Sequence, residues 1–166
     1  LLAALVPAVA ADTSYHIAST GGNVSDVAMT ADGGYAVAGT ENGSILCLRQ
    51  DGTVPWSVNA SGPVTAVAVA DSGGRIAAGT GAGGVFLLDR DGNRHWSANV
   101  SGSVNDLAFS GDARFIAVAA GRISLFDYRG ERLWNFTTLA EVHSVAFTKD
   151  GNYIVTGSDN GAVHFI

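Results

Sequence analysis

The chain has 166 residues, 47% of them hydrophobic and 14% charged, with 22 glycines, three prolines and a formal net charge of −6. That apolar share argues against intrinsic disorder, and glycine without a triplet period excludes collagen. A single cysteine, Cys47, excludes an internal disulfide framework and any multi-cysteine metal site. One lysine (Lys149) and eight arginines stand against fifteen acids, so nucleic-acid backbone binding is disfavoured too.

The chain opens on an apolar run, residues 1–11, and turns polar at Asp12. Eleven residues are too few for a spanning helix, which needs about 20. The small-residue pattern Ala8-Val9-Ala10 reads as a cleavage site, so residues 1–11 read as the tail of a secretory signal. The mature domain then starts near Ala11 or Asp12, in a piece of a longer reading frame. The plainer alternative is an apolar arm of the mature protein. Asn-x-Ser/Thr triplets begin at Asn23, Asn42, Asn59, Asn99 and Asn135, more than chance placement yields. On a secretory route these are glycosylation acceptors; otherwise Asn and Ser simply form turns.

Self-comparison carries most of the information. Val24, Val64, Val104 and Val142 recur at spacings of 40, 40 and 38, each opening a short aliphatic strand. A second strand follows at Tyr35, Arg75, Phe115 and Tyr153, and a third at Ile45, Val85, Ile123 and Val163. A fourth follows Asp51-Gly52, Asp91-Gly92 and Arg129-Gly130 and carries Trp56, Trp96 and Trp134. Asp-Gly and Asn-Gly suit tight hairpins, because such turns require positive φ. No window has helical periodicity. Four antiparallel strands per repeat of about 40 residues define an all-β propeller of four-stranded blades. The repeats run at about 22–61, 62–101, 102–139 and 140–166. The last lacks an outer strand, and residues 12–20 are the candidate to supply it. Ring closure then has three solutions: four blades in this chain, two chains pairing into eight, or a longer parent. The second and third are preferred.

Residues 142–161 resemble WD-repeat propellers, and the Asp-Gly-x-x-x-Trp segments, Asp51 to Trp56 and Asp91 to Trp96, resemble quinoprotein-like (PQQ-like) propeller repeats. The resemblance implies rings of seven or eight blades. It departs from WD repeats in lacking the Gly-His pair and the Trp-Asp dipeptide, so that family's side-chain network is not carried over.

Candidate chemistry is sparse. The three tryptophans hold one position per blade and read as packing residues between blades, with an aromatic binding platform as the alternative. His16, His95, His143 and His164 lie in different repeats without zinc-site spacing. Cys47 sits between Leu46 and Leu48 and reads as a small buried hydrophobe. Asp26 and Asp106 hold equivalent places in first strands, as turn caps, amide acceptors or cation ligands of a central channel. The glycine turns at 33–34 and 81–84 join strands, not helices, so they are no phosphate loop.

The expectation is therefore a non-catalytic interaction or structural domain, extracellular or on a cell surface, with the periplasm as the alternative compartment. No catalytic, cofactor or metal residues are assigned. Its partner is a protein or a second copy, as a homodimer or larger assembly. Two other readings stay open: a fragment of a quinone-dependent dehydrogenase, and a self-assembling surface subunit that exchanges strands.

Overall fold

Short runs of Val, Ile, Ala and aromatic residues, cut by Gly, Asp and Asn, form fifteen strands in the computed structural model, which describes residues 19–166. No helix occurs among the described residues. Blade 1 comprises β1 (Val24–Met29), β2 (Tyr35–Thr40), β3 (Ser44–Arg49) and β4 (Trp56–Asn59). Blade 2 comprises β5 (Val64–Val69), β6 (Arg75–Thr80), β7 (Gly84–Asp89) and β8 (Arg94–Asn99). Blade 3 comprises β9 (Asp106–Phe109), β10 (Phe115–Ala119), β11 (Ile123–Asp127) and β12 (Arg132–Phe136). Among the described residues blade 4 has three strands, β13 (Val142–Phe147), β14 (Ile154–Ser158) and β15 (Val163–Phe165). Every sheet is an antiparallel meander in chain order. This is the architecture of β-propeller blades.

The leader reading of residues 1–11 lies outside the described residues, as does most of the strand expected at 12–20. Ser19 and Thr20 are described and lie outside any strand; the Thr20 hydroxyl donates to the Gly22 carbonyl at 2.7 Å.

The inner strands β1, β5, β9 and β13 stack in order, and three apolar cores fill the three spaces between the four blades. In the first core, Val37, Ile45 and Cys47 of blade 1 meet Val64, Val67, Ile76 and Leu88 of blade 2. Blades 1 and 4 each turn one face away from this stack, and there Val27, Met29, Val163 and Phe165 are exposed.

Simple alternation fails at one recurring place. Val64 and Val67 are three residues apart, yet both face Gly39 of the preceding blade. A β-bulge between Val64 and Ala66 supplies the extra residue that re-aims the strand. The same irregularity recurs between Val24 and Asp26 and between Val142 and Ser144. Ala66 is thereby turned toward blade 3, in whose core it is counted.

The turn glycines answer to geometry as well as to φ. Gly83 lies at φ +85°, and a Cβ there would sit 2.5 Å from the Val100 carbonyl oxygen. At Gly62 a Cβ would meet nothing within 4 Å. Gly83→Ala should therefore lower the unfolding free energy by about 2 kcal/mol or more. Gly62→Ala should stay within about 0.5 kcal/mol, since the added Cβ enters open space. Urea melts of both variants check the pair.

Candidate functional site

The blade junctions draw on a shared set of parts, no two junctions using all of them alike. The first is a seat: the side chain of Val64 fills the space over Gly39 and that of Val104 the space over Gly79, where any Cβ would collide with the valine. Val104 N–H and Val142 N–H then donate to the Thr80 and Ala120 carbonyls of the preceding blade, both at 3.1 Å. The second is a carboxylate bridge. Asp26 accepts from its neighbour Val27 N–H at 2.8 Å and from Val67 N–H of blade 2 at 2.7 Å. Asp106 does the same with Leu107 N–H and Val145 N–H of blade 4, both at 2.8 Å. These aspartates are thus amide acceptors between inner strands. Burial pushes the Asp106 carboxyl above its usual range, against the two amides, which pull it down.

The third part lies toward the rim. Trp56 Nε1 donates to the Arg90 carbonyl at 2.9 Å, and Trp96 Nε1 to the Tyr128 carbonyl at 3.0 Å. Each indole lies against the glycine of the next blade's turn, Gly92 and Gly130, where a Cβ would come within 2.7 Å and 2.8 Å of the ring. That contact, with φ of +84° and +90°, requires glycine at both positions. Trp134 is partly buried against the third core. Arg94 and Arg132, two residues before Trp96 and Trp134, donate to the Asn59 and Asn99 carbonyls of the preceding blade. That two-residue spacing recurs in the sequence and could have marked both arginines as junction residues.

The remaining candidates do not converge. His95 lies 3.8 Å from Asp89, and His143 Nε2 bonds Asp159 at 2.6 Å. His164 pairs across the sheet with Thr156, and its Nδ1 and the Thr156 hydroxyl are buried without a hydrogen-bond partner. His16 falls outside the described residues. Cys47 is buried in the first core, and burial pushes its thiol up. No group of three or more His, Cys, Asp or Glu stands together among the described residues.

Two ends of the arc differ. The hairpins joining first to second and third to fourth strands hold or adjoin Lys149 and every arginine except Arg122. Asn23, Asn42, Asn59 and Asn99 lie at the other turns and blade connections, and Asn135 lies near the end of β12. Several of these asparagines already serve the turns: Asn59 Oδ1 accepts from Ser61 N–H at 2.6 Å, and Asn42 bonds the Thr40 hydroxyl. At the charged end a cavity of about 320 Å³ opens between blades 2 and 3, lined by Arg75, Leu87, His95, Trp96, Tyr128 and Arg129. The guanidinium carbons of Arg75 and Arg129 lie 4.9 Å and 5.2 Å from the Tyr128 ring centroid. Arg75 is further held by the Ala113 carbonyl at 2.7 Å, and Arg129 Nε by the Tyr128 hydroxyl at 2.9 Å. Sequence reasoning missed this group, since it draws on two blades.

The fold and these junctions define a β-propeller repeat protein. A family model described as "Outer membrane protein assembly factor BamB" matches residues 12–118, and one described as "WD domain, G-beta repeat" matches residues 131–166. The first spans well over half of the chain, which belongs to that PQQ-like repeat family. No curated protein matches the chain.

The Asp106 bridge gives a test with a sign. Its folded-state carboxyl lies above its usual value, so between the unfolded and folded values the folded chain binds more protons. Stability tied to Asp106 therefore falls as pH rises through the carboxylate range. Asp106→Ala should remove that slope and leave Val145 N–H unpaired, at a cost of about 1–3 kcal/mol near neutral pH. Thermal melts of both proteins at stepped pH values measure the difference.

Proposed function

We propose that the chain is a non-catalytic interaction domain of a secreted or cell-surface protein, and that it meets a protein partner at its charged hairpin end. The observation that carries this reading is the cavity between blades 2 and 3. Tyr, Trp and Arg dominate the energetics of protein interfaces, and here Tyr128, Trp96 and two arginines line a single concavity with the cations already held in place. An arginine fixed over an aromatic ring loses little freedom when a carboxylate or backbone carbonyl docks on it. The two inner-strand aspartates are engaged in joining blades, Asp26 and Asp106 each accepting from an amide of the next blade.

The apolar run at residues 1–11 and the five sequons motivate the secretory half of the proposal. The sequons' concentration away from the charged hairpins would leave the docking end uncovered if glycans are attached.

Two measurements test the proposal. Titration with pyrroloquinoline quinone and calcium should give no protein-bound absorbance; a saturable bound chromophore would overturn the non-catalytic reading. In affinity capture from the native host, Tyr128→Ala with Arg129→Ala should lose a partner that the unaltered chain retains, at unchanged fold by circular dichroism. Equal capture by both proteins would remove the rim from the proposal.

A further inference from the structure

The cavity between blades 2 and 3 has a counterpart one junction earlier, and the difference between the two points to a ligand. We propose that the blade 2–3 cavity binds a carboxylate side chain from an acidic, extended segment of a protein partner, through Arg75 and Arg129. This rests on the docking role given above to the charged hairpin end and adds the chemistry of what docks there.

The six positions that line this cavity also line a smaller one, of about 60 Å³, between blades 1 and 2. There they carry Tyr35, Cys47, Pro55, Trp56, Arg90 and Asp91. What joins the blades is alike in both places. Each tryptophan donates its Nε1 to a carbonyl of the next blade. Each second strand opens on a side chain that reaches the turn after the next inner strand: the Tyr35 hydroxyl donates to the Gly73 carbonyl at 2.5 Å, and Arg75 Nη1 to the Ala113 carbonyl at 2.7 Å. A neutral tyrosine therefore suffices for that bond, and Asp91 suffices at the place that Arg129 holds in blade 3. The two positive charges are surplus to holding the blades together, and both face one cavity.

Both guanidinium groups keep a two-donor edge. Arg75 spends Nη1 on Ala113 and retains Nε and Nη2; Arg129 spends Nε on the Tyr128 hydroxyl and retains both Nη groups. Such an edge matches the two oxygens of a carboxylate. Neither arginine is ion-paired among the described residues, where the ion pairs are those of His95 and His143. The acids of the surrounding turns are directed inward instead. Asp89 accepts from the Asp91 and Asn93 amides, Asp112 from the Arg114 amide, and Asp127 from the Arg129 and Glu131 amides, all at 2.8–3.0 Å. Glu131 shares the hairpin of Arg129 but does not pair with it.

The shape favours a length of chain over a single small molecule. A second cavity, of about 210 Å³, shares Tyr128 and Arg129 with the first and adds Arg114, Phe115 and Leu133. Two concavities joined at one tyrosine suit successive residues of an extended peptide, and Arg114 offers it a further cation. The chain as a whole carries a net charge of −6, so attraction of an acidic segment has to be local to such a site.

The neighbouring repeat supplies the variants for a test. Arg75→Tyr and Arg129→Asp install the residues that the blade 1–2 cavity already carries, so each keeps what a junction requires. The probe is a blocked peptide of alternating Glu and Ser, with Gln in place of Glu in its control, titrated into the 166-residue chain by calorimetry. The unaltered chain should bind the Glu peptide saturably, more weakly as salt rises, and leave the Gln peptide unbound. Each variant should weaken binding about tenfold or more at an unchanged circular dichroism spectrum. The peptide comparison and the salt dependence are read on the unaltered chain, so neither depends on a variant folding. Absence of saturable Glu-peptide binding overturns the proposal, as does equal binding of the Gln peptide or full binding by either folded variant. Those results leave the docking role standing; it fails separately, when Tyr128→Ala with Arg129→Ala captures the same partner as the unaltered chain.

Discussion

The structure depends on the seating of one valine from each of blades 2, 3 and 4 into the blade before it. A four-stranded antiparallel meander has two apolar faces and no helix to cover them, so a single blade cannot bury its own core. Stacking solves this only if neighbouring inner strands come close. At two of the three junctions that closeness is secured by a glycine, Gly39 or Gly79, whose missing side chain is replaced by the valine of the next blade. Fully burying a valine contributes roughly 1.5–3 kcal/mol. At the third junction the seat is not glycine: Val142 packs in the same core as Ala119.

Everything outward of the seat follows from it. Once inner strands are in contact, their amide edges are shielded from water, and a buried N–H without an acceptor costs about 1–3 kcal/mol. Asp26 and Asp106 meet that demand for two blades at a time, and the bulge at the head of the strand turns the valine backward while the next residue but one faces forward. Farther out, the blades diverge, and the gap is filled by large side chains that reach across it. Trp56 and Trp96 lie on turn glycines, and Arg94 and Arg132 reach the ends of the preceding outer strands. The cavity at Arg75, Tyr128 and Arg129 is what this outward divergence leaves between blades 2 and 3.

Much of this is legible in the sequence. Turn glycines and β-branched runs announce hairpins by local stereochemistry, and the period of about 40 residues announces blades. The place of Trp56, Trp96 and Trp134 in each repeat was equally plain. The bulge was not, because one extra residue in a strand leaves the composition of the repeat unchanged and alters only its facing. Amide acceptance was among the readings open for Asp26 and Asp106, but the choice among them was not legible, since the amides they bind lie some 40 residues away and become partners only when inner strands stack. The rim cavity was invisible for the same reason, its residues coming from separate repeats.

The sequence by itself therefore determined the blade, its strand order and its repetition, because hairpin formation is governed by φ preferences and by alternation within a few residues. Only the tertiary structure decided which faces are spent inside the chain and which are left over. That choice belongs to packing between residues about 40 apart, and it separates two valines of identical local sequence character: Val64, closed over by its neighbour, and Val24, standing half exposed at the end of the arc.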